Sequence, residues 1–161
     1  KTKMNKSKSI FIKKTREWVD SEVSFVNEVL EHAFENLLDS NELEHEVSVL
    51  LTNNNEIREL NKKYRNIDKS TNVLSFSIAN ANISSELKMI GDIVISKEKI
   101  LSEAKEQNKT FMSHLAHMVI HGFLHLLDFA HDSEEDSSIM EKKEIELLKL
   151  LNISNPYEDK V

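Results

Sequence analysis

The stretch from His114 to His131 constrains what this chain can fold into more than any other. Five of the seven histidines fall inside it. At about 100° per residue, His114, His121 and His125 lie within roughly 40° of one another on a helix, and His117 lies about 60° round from His114. Leu115, Met118, Val119, Ile120, Phe123, Leu124, Leu126 and Leu127 fill the rest of the circumference. A helix apolar nearly all round belongs in a core. The spacing therefore predicts a buried helix, from about residue 110, with a line of imidazoles along it.

A lone buried histidine is usually a hydrogen-bonded core residue, but three features point elsewhere. His121 and His125 stand four apart, the separation at which two side chains on one helix can grip one ion. His131 follows just past Asp128, Phe129 and Ala130, where the helix can end and the chain turn back. Apolar neighbours cannot satisfy several neutral imidazoles, whereas one divalent cation satisfies three together. His121, His125 and His131 are thus the candidate metal ligands. Zinc is the expected ion, one per chain, because imidazole suits it and the chain has no cysteine. The spacing matches the metzincin protease helix H-E-x-x-H-x-x-G-x-x-H, except that Gly122 stands where the protease carries its general base. Ordinary peptide hydrolysis is disfavoured on that ground.

At 161 residues and 39% hydrophobic, the chain reads as one domain, residues 1–161, with a sizeable core. Without cysteine there are no disulfides and no thiol nucleophile. No apolar run approaches the roughly 18 residues of a membrane span and no signal-peptide core is visible, so a soluble, cytoplasmic protein with no membrane partner is expected. A net charge of −7 argues against a broad, non-specific nucleic-acid groove. The charge is uneven. Lys6, Lys8, Lys13, Lys14 and Arg16 form one basic stretch, Lys62, Lys63, Arg65 and Lys69 a second, and acid gathers at 134 to 146.

Short β-branched or alternating runs predict strands at 9–12, 47–52, 72–78 and 89–96. Helical periodicity predicts helices at 16–38, 56–64 (Ile57, Leu60 and Tyr64 inward, capped from Asn53 to Asn55), 97–106, the histidine helix, and 134–151. Mixed in this order, they give an α+β fold: a small mixed β-sheet covered by helices, with a buried metal-binding helix and a zincin-like site. Arg65 is placed on the turn before the third strand, where its planar fork could meet phosphate. Gly91 inside a strand marks a bulge or a close backbone approach, and Gly122 a helix that a strand approaches closely.

The window His121-Gly-Phe-Leu-His125-Leu-Leu-Asp-Phe-Ala-His131 resembles the signature H-G-x-L-H-L-L-G-Y-D-H of the YbeY family of bacterial rRNA maturation factors. Lys69-Ser-Thr-Asn-Val-Leu-Ser-Phe76 resembles the family's K-P-T-[DN]-V-L-S-F, preceded by Leu60-Asn61 and Tyr64-Arg65. Gly91-Asp92-Ile93 and the closing acidic helix through Met140-Glu141 also fit, so the likeness spans nearly the whole chain. It implies a zinc held by His121, His125 and His131, with Arg65 as the arginine near the metal. It further implies a single-strand-specific endoribonuclease acting in 16S rRNA 3′-end maturation and ribosome quality control, with single-stranded RNA and the ribosome as partners and no DNA. The chain departs from the pattern at Asp128 (usually Gly), Ala130 (usually Asp), Ser70 and Ser77 (both usually Pro). Asp tolerates a left-handed turn better than most residues. If the usual Asp at 130 orients a ligand imidazole, Asp128 or Asp132 is the candidate substitute.

The expected chemistry is metal-assisted phosphodiester cleavage, with Arg65 neutralising charge in the transition state. No residue of the motif is an obvious general base, which leaves metal-activated water or the RNA 2′-hydroxyl in that role. Two alternatives stand beside it: a zinc hydrolase of another substrate class, peptidase-like, and a non-catalytic ribosome-associated protein with a structural zinc. A fourth protein ligand, with His114 or His117 nearest, would favour the last.

Overall fold

The computed structural model describes residues 9–38, 44–78 and 87–158; Lys6 and Lys8 of the first basic stretch lie outside them. The elements run β1 (Ser9–Lys14), α1 (Asp20–Leu37), β2 (Glu44–Thr52), α2 (Asn54–Arg65), β3 (Val73–Ser77), β4 (Leu87–Ser96), α3 (Lys97–Glu106), α4 (Phe111–Leu126) and α5 (Glu134–Leu150). The strands form one sheet in the order β1-β2-β4-β3. β1 and β4 pair parallel to β2, while β3 pairs antiparallel to β4 as an edge strand. The sheet is mixed and the fold α+β, as the element pattern predicts.

Strand alternation divides the core in two. Val47, Val49 and Leu51 of β2 and Ile93 and Ile95 of β4 face the large core with α1, α4 and α5. Leu74 of β3 and Val94 of β4 face the other way, onto Ile57 of α2. Leu60 packs beside them, but Tyr64, predicted to point inward, is exposed and reaches Phe76 only with its ring edge, 5.4 Å between centroids. A single helix covers that face, and its last turn passes beyond the buried cluster.

Local chemistry sets the element ends. α1 begins at Asp20 rather than near 16, with the Glu22 carboxylate accepting the Val19 N–H at 2.9 Å. Trp18 stays outside the helix, buried, its indole N–H donating to the Thr52 carbonyl at 2.8 Å. Asn53 caps α2 by accepting from the Glu56 N–H. Asn66, at φ 58°, ends that helix, so Arg65 is its last residue rather than part of a turn.

Both glycines do what their positions suggest. Between the pairs Glu46–Met89 and Val47–Gly91, β4 carries an extra residue, Ile90: a bulge. Gly91 follows it at φ 147°, and a Cβ there would collide with the Phe76 carbonyl oxygen. A Cβ on Gly122 would sit 3.1 Å from Ser75 Oγ and Val73 Cγ2 and 3.2 Å from Ile93 Cγ2. Helix α4 is thereby seated directly on β3 and β4, with the Ser75 hydroxyl donating to the Gly122 carbonyl at 2.9 Å.

Candidate metal centre

α4 is buried from His114 to Leu124, apart from the partly exposed His121. The helix ends at Leu126, and Asp128 turns the chain back at φ 70°, a left-handed conformation that Asp accepts in place of glycine. That reversal returns His131 to the helix: its ring centroid lies 4.9 Å from that of His125 and 5.9 Å from that of His121. One ligand atom from each of His121, His125 and His131 falls within 4.8 Å of the others. The three residues singled out by spacing are therefore brought together, on one helix turn and the loop after it.

The hydrogen bonds define which nitrogen of each ring is offered. His121 Nδ1 donates to Glu144 Oε2 at 2.6 Å, and His125 Nδ1 donates to the Phe129 carbonyl at 3.0 Å. With both Nδ1 atoms acting as donors, each ring in its neutral form carries its lone pair on Nε2. Those two Nε2 atoms face each other at 3.0 Å. In that form the two lone pairs repel, and a shared cation, a proton or a metal ion, turns the repulsion into a bond. Tetrahedral zinc, with Zn–N of about 2.0–2.1 Å, holds nitrogens about 3.3 Å apart, close to this spacing. Burial pushes His125 toward its neutral form, and His121 beside it pushes the same way.

Glu144 is the residue that sequence reading missed. It lies in the acidic run at 134 to 146, where no site residue was expected, yet it is fully buried. A signal was present: Met140, Glu144, Leu147 and Leu148 follow helical spacing, which puts this one carboxylate on the apolar stripe of α5. Burial alone would push its carboxyl up, but hydrogen bonds from His117 and His121, and from the Tyr157 hydroxyl, hold it down at about 2. None of these partners is a permanent cation. A buried carboxylate, an imidazole and then a metal is the arrangement that orients a ligand and places positive charge within reach of the carboxylate. The orienting partners of His121 and His125 are thus Glu144 and the Phe129 carbonyl rather than Asp128 or Asp132.

The other two imidazoles of the line serve different ends. His114 Nε2 meets Glu103 at 2.8 Å, and Asn72 donates to the same carboxylate at 3.1 Å, tying α4 to α3. Burial pushes His114 down despite that carboxylate. His117 Nε2 lies 3.4 Å from Glu144 and, with His121 and Glu144, forms a second group able to hold a metal, separate from His125 and His131. In that second group His121 Nδ1 and Glu144 stand at hydrogen-bond distance, nearer than two ligands of one ion. His121 and His131 open onto a cleft of about 270 Å³, with Ser137, Met140, Glu141, Glu144 and Tyr157 along it.

Arg65 is exposed at the end of α2. Its Nη2 donates to the Ser75 carbonyl at 2.6 Å, and its guanidinium lies 5.3 Å from the Phe76 ring centroid. Ser75 is the residue whose hydroxyl bonds Gly122, the neighbour of His121.

A mixed sheet carrying a buried helix, with His121 and His131 on a cleft and His125 beside them, defines an α+β domain built around side chains able to hold a metal ion. The family model Endoribonuclease YbeY matches residues 8–152, and the chain belongs to that family. It is 48% identical over 112 residues to the endoribonuclease YbeY of Colwellia psychrerythraea, covering 70% of this chain and 72% of that protein. Against the endoribonuclease YbeY of Bartonella bacilliformis it is 38% identical over 143 residues, 88% of this chain and 90% of that one. Among solved structures it resembles the solution structure of TM1509 from Thermotoga maritima, with a TM-score of 0.56 and 25% identity over 94% of this chain and 97% of that one.

Proposed function

We propose that the chain is a zinc-dependent, single-strand-specific endoribonuclease acting in 16S rRNA 3′-end maturation and ribosome quality control in the cytoplasm, as one domain over residues 1–161. The observation that carries this reading is the pair of Nε2 lone pairs on His121 and His125, tied back through Nδ1 and facing each other at 3.0 Å beside His131. Membership of a family named for endoribonuclease activity supplies the substrate class. Bound there, zinc would supply Lewis-acid polarisation of a phosphoryl oxygen and a lowered pKa for water.

The protein's own residues do the rest. Glu144 fixes the His121 tautomer, the Phe129 carbonyl fixes that of His125, and Gly122 lets α4 lie close enough to β3 to bring Ser75 beside the site. Arg65 reaches the same strand from the other side. One of its five N–H donors bonds the Ser75 carbonyl, which leaves the rest of the fork to take a phosphate of the RNA in fixed geometry. Lys62, Lys63 and Lys69, all exposed, lie near it along the chain, and this basic stretch is the part we assign to the RNA backbone. A cleft opening on His121 and His131 favours catalysis over a structural zinc.

The test is a cleavage time course on a single-stranded RNA and on its duplex, with wild type and His121→Ala. Cleavage of the single strand alone, lost in His121→Ala, is expected. Cleavage by the variant at the wild-type rate would overturn the reading.

A further inference from the structure

The chain after α5 forms no further helix or strand up to residue 158, yet it is tied down at several points. Asn152 turns it at φ 61°, and the Ile153 N–H donates back to the Leu148 carbonyl at 2.9 Å. Lys109 Nζ donates to the Pro156 carbonyl at 3.0 Å, and the Tyr157 N–H donates to Asn155 Oδ1 at 2.8 Å. These bonds set the Tyr157 ring edge-on to His117, 5.4 Å between centroids, at one wall of the His121 and His131 cleft. The ring edge is exposed, but the hydroxyl donates to Glu144 Oε1. Tyr157 lies beyond the segment that the family model matches.

Glu144 has two oxygens with two duties. Oε2 holds His121 Nδ1, and Oε1 takes the Tyr157 hydroxyl, with His117 Nε2 3.4 Å from the same oxygen. Because the carboxylate is fully buried, a donor lost from Oε1 is not replaced by bulk water. His117 Nε2, which loses the same hydroxyl, is then the nearest donor to Oε1, and closing that 3.4 Å gap turns the carboxylate away from His121 Nδ1. We propose that Tyr157 is a positioning residue of the metal site: through Glu144 it fixes the Nδ1–H tautomer of His121 and the direction of the Nε2 lone pair. The inference rests on the three-histidine reading of the metal centre. If Tyr157 instead only anchors the end of the chain, its hydroxyl affects stability and leaves metal affinity alone.

Tyr157→Phe keeps the ring against His117 and removes only the hydroxyl. Zinc affinity is measured on metal-free protein by competition with a chelator, and the His121 tautomer is read from ring ¹⁵N shifts without metal. The expected result is a loss of about 10-fold in affinity, with His121 shifted from one tautomer to a mixture. In a Glu144→Gln background the same substitution should cost less than about 2-fold, because the two residues act in series. Wild-type affinity with an unchanged tautomer in Tyr157→Phe overturns the proposal. So does a loss that persists undiminished in the Glu144→Gln background. His121→Ala separates the two readings: if it binds zinc as wild type does, the three-histidine site fails, and the tautomer shift alone judges Tyr157.

Discussion

Replacing Glu144 with Gln keeps the shape of a fully buried side chain and removes its charge. The carboxyl is held at about 2, against an ordinary value of 4.5, by the His117, His121 and Tyr157 donors working against burial. A difference of about 2.5 pH units corresponds to about 3 kcal/mol of stability belonging to the ionised form. Because the folded value is depressed, the unfolded chain takes up the proton first as pH falls. The contribution is therefore complete above 4.5 and is lost on the way down to about 2. By about pH 3, about 2 kcal/mol of it has gone. The assay is urea unfolding of metal-free wild type and Glu144→Gln at intervals from about pH 6 to about pH 3. The difference between the two curves reports Glu144 together with its charge coupling to the imidazoles, since His125 itself feels that carboxylate. Wild type should lose about 2 kcal/mol more than the variant across that range. Parallel curves would show that the donors around Glu144 do not hold it ionised, and the account of His121 orientation would fail with it.

His121→Ala and His125→Ala should each abolish the expected content of about one zinc per chain by elemental analysis, and full occupancy in either would refute the ligand set. Arg65→Ala should retain the metal while slowing RNA cleavage on the order of 10²-fold, with Arg65→Lys recovering only part, since the charge remains but the fork is lost. A fully active Arg65→Ala would reduce this residue to a tie onto the Ser75 carbonyl. Gly122→Ala places a methyl 3.1 Å from Ser75 Oγ and Val73 Cγ2, and overpacking of that kind should cost about 1–3 kcal/mol. A melting temperature equal to wild type would show that β3 moves aside freely.

The elements and the trio of histidines that the fold brings together were legible in the chain because their signals are local. His121 and His125 share a helix face through a spacing that needs only 3.6 residues per turn, and Asp128 supplies the left-handed residue that brings His131 back. The alternation of β2, β3 and β4, and the glycine at the β4 bulge, can be read without knowing what they pack against. Trp18 and Tyr64 show where periodicity misleads. Each fits a helical pattern, but one precedes its helix to reach Thr52 and the other passes the edge of the cluster it was meant to join. What Glu144 and Tyr157 touch was decided by tertiary structure. Glu144 is 23 residues from His121 along the chain, and its charge is tolerated in the core only because α5 lies against α4 and Tyr157 folds back over both. Sequence determined which imidazoles could share an ion. The packing of α5 decided which way His121 faces, because a tautomer is set by the partner of the opposite nitrogen, and that partner is brought in by the fold.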